Sequence, residues 1–185
     1  MHLPWVSDPT YRFGGGFELN LSPYNHINYQ YNNGIKDVTG DHNSQLFGGN
    51  MGNSFTGYGG RDVFYLGTGN APDLINYVSW RDAPIWSRDE IFNFDPAHDR
   101  LNVSGIPDHV VGHMPTVRVQ AGWDPYSGTF FHVSVADDPY LQDSDTLHIN
   151  IHTGHSAEWD YYTKDHTPQE VANLLQATFS SWILY

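Results

Sequence analysis

The 185-residue chain contains no cysteine, which excludes a disulfide framework and any thiolate metal site. Basic side chains are scarce: eight Lys plus Arg stand against 21 Asp plus Glu, for a formal charge of −13. Binding to a nucleic acid backbone depends on neutralising phosphates, so a nucleic acid partner is not expected. No apolar run approaches the ~20 residues that a membrane span requires. The opening Met1-His2-Leu3-Pro4-Trp5 lacks a basic stretch followed by an apolar one, so any export is expected to bypass a cleavable N-terminal signal. Signatures of enzymes are missing too. There is no nucleophile elbow around a serine and no phosphate-binding Gly-Lys-Ser/Thr loop. His109 and His113 have the spacing of a zinc-binding helix, but Val110 stands where H-E-x-x-H places its glutamate, and Pro107, Gly112 and Pro115 oppose a helix.

What is present points to a folded β protein. Aromatics make up 15% of the residues and hydrophobics 39%, enough to build a core in one domain of this length. Alternation over Phe17, Leu19 and Leu21, then Ile27, Tyr29 and Tyr31, with Ser22-Pro23 between, predicts two strands. Further alternation in 116–119, 129–135 and 146–151 predicts antiparallel sheet in the last third. Thr167-Pro168-Gln169-Glu170 is a capping box with proline at the first helical position. Val171, Leu174, Leu175, Phe179, Trp182 and Ile183 follow at helical spacing, which predicts an amphipathic C-terminal helix docked on the sheet.

Between residues 32 and 60 aliphatic side chains are rare and Gly, Asn, Asp and Ser are frequent. A structureless loop of that length is unusual in a compact domain, so a repeat is the better explanation. Leu46, Phe55 and Phe64 are nine residues apart, and Ser44, Asn53 and Asp62 each precede them by two. The units are Thr39 to Phe47, Gly48 to Thr56 and Gly57 to Tyr65. Each joins a polar, glycine-bearing half that can turn to a short half that sends one apolar side chain inward.

These units resemble the nonapeptide G-G-x-G-x-D-x-U-x of RTX proteins. Gly60, Asp62 and Phe64 of the third unit are in register with it, whereas Met51 and Asn53 in the second, and His42 and Ser44 in the first, depart from it. The downstream segments Asp89-Glu90-Ile91-Phe92-Asn93-Phe94 and Asp99-Arg100-Leu101-Asn102-Val103-Ser104 extend the likeness to the C-terminal β-roll of serralysin-type metalloproteases, over residues 39 to 106. The resemblance implies a short parallel β-roll over 39–106; together with the alternation and the capping box, an all-β fold is expected in which the roll continues into an antiparallel sheet or sandwich, with one C-terminal amphipathic helix. A single domain is expected, with N-terminal strands in 1–38, the roll in 39–106, and antiparallel strands plus helix in 107–185.

The resemblance also implies Ca²⁺ as cofactor and secretion by a type I route. Calcium takes six to eight oxygens, which stacked turn carbonyls and carboxylates supply. Asp62 is the best candidate ligand and Asn53 offers an amide oxygen, with Gly57 and Gly59 in the turn. Asp41, Asp73, Asp82 and Asp89 are candidate caps from neighbouring loops. The plain alternative is that Asp62 and Asn53 only hydrogen-bond nearby backbone. His148 and His152 share parity on a predicted strand and His155 follows, a second set with transition-metal chemistry, or simply a solvated polar face. Tyr and His could serve haem, and Trp80, Trp86, Trp123 and Tyr126 a sugar. The expected role is a calcium-stabilised structural, adhesive or self-assembling module, with partners in self-association or at a cell-surface polysaccharide. The alternatives are a small secreted polysaccharide hydrolase or lyase on the same scaffold, or a metal or haem carrier.

Overall fold

The computed structural model describes residues 16–22, 25–30, 37–39, 43–48, 52–67, 71–106, 114–125, 128–137, 146–152 and 165–185. In chain order the strands are β1 (Gly16–Ser22), β2 (Asn25–Gln30), β3 (Asp37–Thr39), β4 (Gln45–Phe47), β5 (Ser54–Thr56), β6 (Val63–Tyr65), β7 (Leu74–Asn76) and β8 (Asp89–Phe92). They continue with β9 (Arg100–Asn102), β10 (Thr116–Asp124), β11 (Gly128–Ala136) and β12 (Leu147–His152), and helix α1 (Pro168–Ala177) and β13 (Ile183–Leu184) complete the chain. An eight-stranded sheet runs β1-β2-β4-β6-β8-β12-β11-β10, and a five-stranded sheet runs β13-β9-β7-β5-β3.

The nine-residue period explains this alternation. A unit of nine residues spans one short strand and one turn, so successive units fall in opposite sheets and every second unit stacks on its predecessor. Leu46 pairs in parallel with Phe64, and Phe64 with Ile91; across the roll, Phe55 pairs with Ile75, and Ile75 with Leu101. All six are fully buried between the sheets. A strand alternates its side chains between faces, so in a three-residue strand only the middle one points inward. Two phenylalanines meet there edge to face, the Phe55 and Phe64 ring centroids being 6.0 Å apart. The roll is therefore a two-layer β structure, and it outlasts the strict nonapeptide spacing, because β7, β8 and β9 keep the alternation across longer turns.

Both ends of the larger sheet are antiparallel. β1 and β2 form a hairpin, with a register irregularity between Asn20 and Ser22, and β2 lies parallel to β4. At the other end β12 lies parallel to β8 and carries β11 and β10 in antiparallel order, so the predicted antiparallel region extends the roll's own sheet. Helix α1 buries Val171, Ala172 and Leu175. Its Gln176 side chain donates to the Val117 carbonyl and accepts from the Val119 N–H at 2.7 Å, which satisfies backbone groups on the outermost strand and blocks an edge open to further pairing.

The helical pattern predicted through Ile183 is corrected at its end. The helix stops at Ala177, a 3-10 turn covers Phe179–Ser181, and β13 pairs in parallel with β9. Thr178, Ser180 and Ser181 are weaker helix formers than the Leu-Leu-Gln-Ala before them, and the unpaired edge of β9 offers Leu101 and Val103 hydrogen bonds to the Trp182 and Leu184 carbonyls, each at 2.9 Å. Trp182 and Ile183 end up buried, whereas Leu174, counted on the apolar face, is exposed.

Candidate functional site

The residue two places before each inward-facing side chain occupies one of two columns, one per sheet. Ser44, Asp62 and Asp89 form the first column, and Asn53, Asp73 and Asp99 the second; all six are buried. Within a column, each carboxylate accepts from the backbone N–H of the residue one layer earlier. Asp62 Oδ1 accepts from Ser44 at 2.7 Å and Asp89 Oδ1 from Asp62 at 2.9 Å. Asp73 Oδ1 accepts from Asn53 at 2.7 Å and Asp99 Oδ1 from Asp73 at 2.9 Å. These bonds continue the parallel ladder one residue beyond the strand end, where a backbone donor would otherwise be buried without a partner.

The turn of the third unit is shaped by this column. Gly57 carries no side chain where the Asp62 carboxylate packs; a Cβ there would collide with it. Gly60 takes φ 119°, open to glycine alone, while Tyr58 is held at φ 62° in the left-handed region. At Gly59 the space where a side chain would sit is open.

Electrostatically the columns oppose their own charge. Burial pushes the Asp89 carboxyl well up, and repulsion from Asp62 and Asp82 adds to it. Burial raises Asp73 and Asp82 as well, against the pull of their hydrogen bonds. Burial takes Asp99 to about 7, outweighing the amides of Asp95 and Asp73. The Tyr77 hydroxyl lies against the Asp89 carboxylate, and burial followed by that negative charge pushes it well above its ordinary value. The two perturb each other without reaching proper hydrogen-bond geometry, and Asp89 Oδ2 is buried with no hydrogen-bond partner among the described residues.

The donor chemistry fits a hard cation: carboxylate oxygens crowded by like charge, a buried carboxylate oxygen without a donor, and a glycine cradle around Asp62. Among the described residues no three acidic or histidine side chains converge as a ready-made metal shell, so turn carbonyls would have to supply most of the oxygens. The predicted candidates separate. Asp62 and Asp89 share the first column with Gly57 and Gly59 in the adjoining turn; Asn53 and Asp73 share the second, where the Asn53 amide donates to Asp73 at 3.1 Å. Asp82 caps its own loop, accepting from Val78 and Ser79 at 2.8 and 3.0 Å. Asp41 lies outside the described residues. Asp99 was missed as a site residue, although its place two before Leu101 repeats the rule that Asp62, Asp73 and Asp89 obey.

His148 and His152 do share a face of the larger sheet, as their parity requires, but they are buried rather than solvated. His152 Nε2 meets Glu90 Oε2 at 2.6 Å, and its ring stacks on Phe92, extending a column of stacked rings through Tyr65 to Phe47. Burial would raise the Glu90 carboxyl, but the bond and charge of His152, with Arg61, hold it below the usual range. His148 Nδ1 lies 3.2 Å from His132 Nε2, and Asn150 Oδ1 is 3.0 Å from His132 Nδ1. Both nitrogens of His132, Nδ1 of His148 and Nε2 of His152 thus engage neighbours within the sheet face. His155, the third of the predicted set, lies outside the described residues, as do Tyr126, His109 and His113. Of the tryptophans weighed for a sugar face, Trp80 is buried, while Trp86 and Trp123 are exposed.

No protein-family model matches the chain, and no curated protein matches it in sequence. Among solved structures it is similar to the AlgE6R3 subunit of a mannuronan C5-epimerase from Azotobacter vinelandii, at a TM-score of 0.40 and 16% identity, over 67% of this chain and 74% of that one.

Proposed function

We propose that this chain is a calcium-stabilised β-roll module of the RTX type, exported by a type I route and acting outside the cell as a rigid structural, adhesive or self-assembling part. The observation that supports calcium most directly is the burial of four aspartates in two columns, where desolvation opposes the ionisation of Asp73, Asp89 and Asp99 and repulsion from Asp62 and Asp73 adds to it at Asp89 and Asp99. A divalent cation relieves that cost, and extracellular calcium is abundant enough to occupy sites of ~10⁻⁴ to 10⁻³ M affinity. Asp62 and Asp89 would hold the ion in the first column, with the carbonyls of Gly57 and Gly59; Asn53 and Asp73 are the corresponding groups in the second. Bound calcium supplies charge compensation there. In the cytoplasm, where calcium is scarce, the same aspartates would weaken the fold, and this couples folding to export.

Calorimetric titration with calcium chloride, with magnesium chloride as control, tests the reading. Binding in the stated range that weakens in both Asp62→Asn and Asp89→Asn supports it. Absence of calcium binding, or binding untouched by either substitution, removes its basis.

A further inference from the structure

The outer face of the larger sheet carries a feature unconnected with the roll's turns. Cross-strand register aligns Arg118 with Ser134 and Ser134 with His148, and in the next row Gln120 with His132 and His132 with Asn150. Beside these rows lies a cavity of about 370 Å³, lined among others by Arg88, Arg118, Gln120, His132, Ser134 and His148. That volume falls within the range of small-molecule sites.

Its charge is the reverse of the chain's. With 21 carboxylates available to eight Lys and Arg, each arginine would be expected to find an acid. Among the described residues neither Arg88 nor Arg118 has a carboxylate partner. Arg88 is instead steadied by its Nε, which donates to the Ile85 carbonyl at 3.1 Å. Glu90, which accepts from Asn150 of these rows at 3.3 Å, is also taken by His152 at 2.6 Å and Arg61 at 3.1 Å. Burial and the charge of Arg88 hold His132 below its ordinary pKa, so near neutral pH it contributes a neutral imidazole and the positive charge comes from the arginines. The Phe130 ring, folded over the bare backbone of Gly122, adds an apolar wall.

We propose that this cavity binds a small organic anion, its carboxylate or phosphate group held between Arg88 and Arg118 and its hydroxyls met by Ser134 and Gln120. Guanidinium groups suit both anions because their planar fork matches paired oxygens. Hydroxyl and amide groups at the same wall suit a polyhydroxylated body.

Ligand-observed NMR and calorimetry with glucuronate, glucose 6-phosphate, inorganic phosphate and uncharged glucose test the site on the full chain. One or more of the anions binds while glucose does not. Glucuronate alone identifies a carboxylate site, and the two phosphates alone a phosphate site. Arg118→Gln and Arg88→Gln each weaken binding by about tenfold or more, the loss expected for a charge-assisted hydrogen bond. Arg118 is exposed, so its variant keeps the wild-type circular dichroism and urea midpoint and remains informative if the Arg88 variant folds poorly. Equal binding of glucose and the anions, undiminished binding in the Arg118 variant, or failure of all three anions to bind at millimolar concentration overturns the proposal.

Discussion

Acidifying the calcium-free protein from pH 7 to pH 5 raises its stability, the opposite of ordinary acid denaturation. Asp99 supplies the magnitude. Its carboxyl stands at 3.8 when unperturbed and at about 7 in the fold, driven first by burial. Between those values the native state binds more protons than the unfolded chain, so stability falls as the pH climbs. At 1.36 kcal/mol per pH unit, an ionised Asp99 costs about 4 kcal/mol at pH 7 and somewhat under half of that at pH 5. The expected gain from this group is about 2 kcal/mol, a large fraction of a typical 5–15 kcal/mol stability. Asp73, Asp82 and Asp89 are raised as well and act in the same direction. His132 works against them, since burial holds it below 6.5 and protonation there is penalised; Glu90, held low by its partners, loses stability only as the pH falls toward its own range. Saturating calcium reverses the trend, because acid then displaces the metal. Urea denaturation followed by tryptophan fluorescence, with and without chelator at both pH values, measures the difference. A calcium-free protein no more stable at pH 5 than at pH 7 refutes the reasoning.

Tyr58→Gly raises the urea midpoint, gaining about 1 kcal/mol by relieving the left-handed backbone at φ 62°; a loss would show that the ring's packing outweighs the strain. Gly57→Ala forces the Asp62 carboxylate aside and weakens calcium binding, whereas Gly59→Ala, with open space around it, leaves binding unchanged; calorimetry on the two variants separates them. Phe64→Ala, which empties a fully buried site beside Phe55, lowers unfolding free energy by about 3–5 kcal/mol, and a loss under about 1 kcal/mol would mean that the roll's interior is not packed as described.

The nonapeptide period was the most legible part of the fold, because a single apolar residue per unit can only be buried if units stack. Leu46, Phe55 and Phe64 are the residues that this logic selects, and all three are in the core. The antiparallel strands were legible from alternation, and the helix start from its capping box. Two features were not. The last strand depends on the free edge of β9, a partner some eighty residues earlier that no local pattern reveals. The cavity depends on register: parity alone puts His132 and Ser134 on one face of β11 but says nothing of where Arg118 and His148 on other strands fall, and only cross-strand pairing brings the four to one wall. Asp99 is a different case, since its position two before Leu101 was visible and the shared offset of the four aspartates was the overlooked signal.

The most direct test of the account is the urea midpoint at pH 7 in 10 mM calcium against 10 mM magnesium and against chelator. With affinities of ~10⁻⁴ to 10⁻³ M, calcium adds about 1.4 to 2.7 kcal/mol for each bound ion, and magnesium, which demands tighter octahedral geometry, adds much less. Superimposable curves in calcium and chelator would contradict the claim that the aspartate columns are calcium sites.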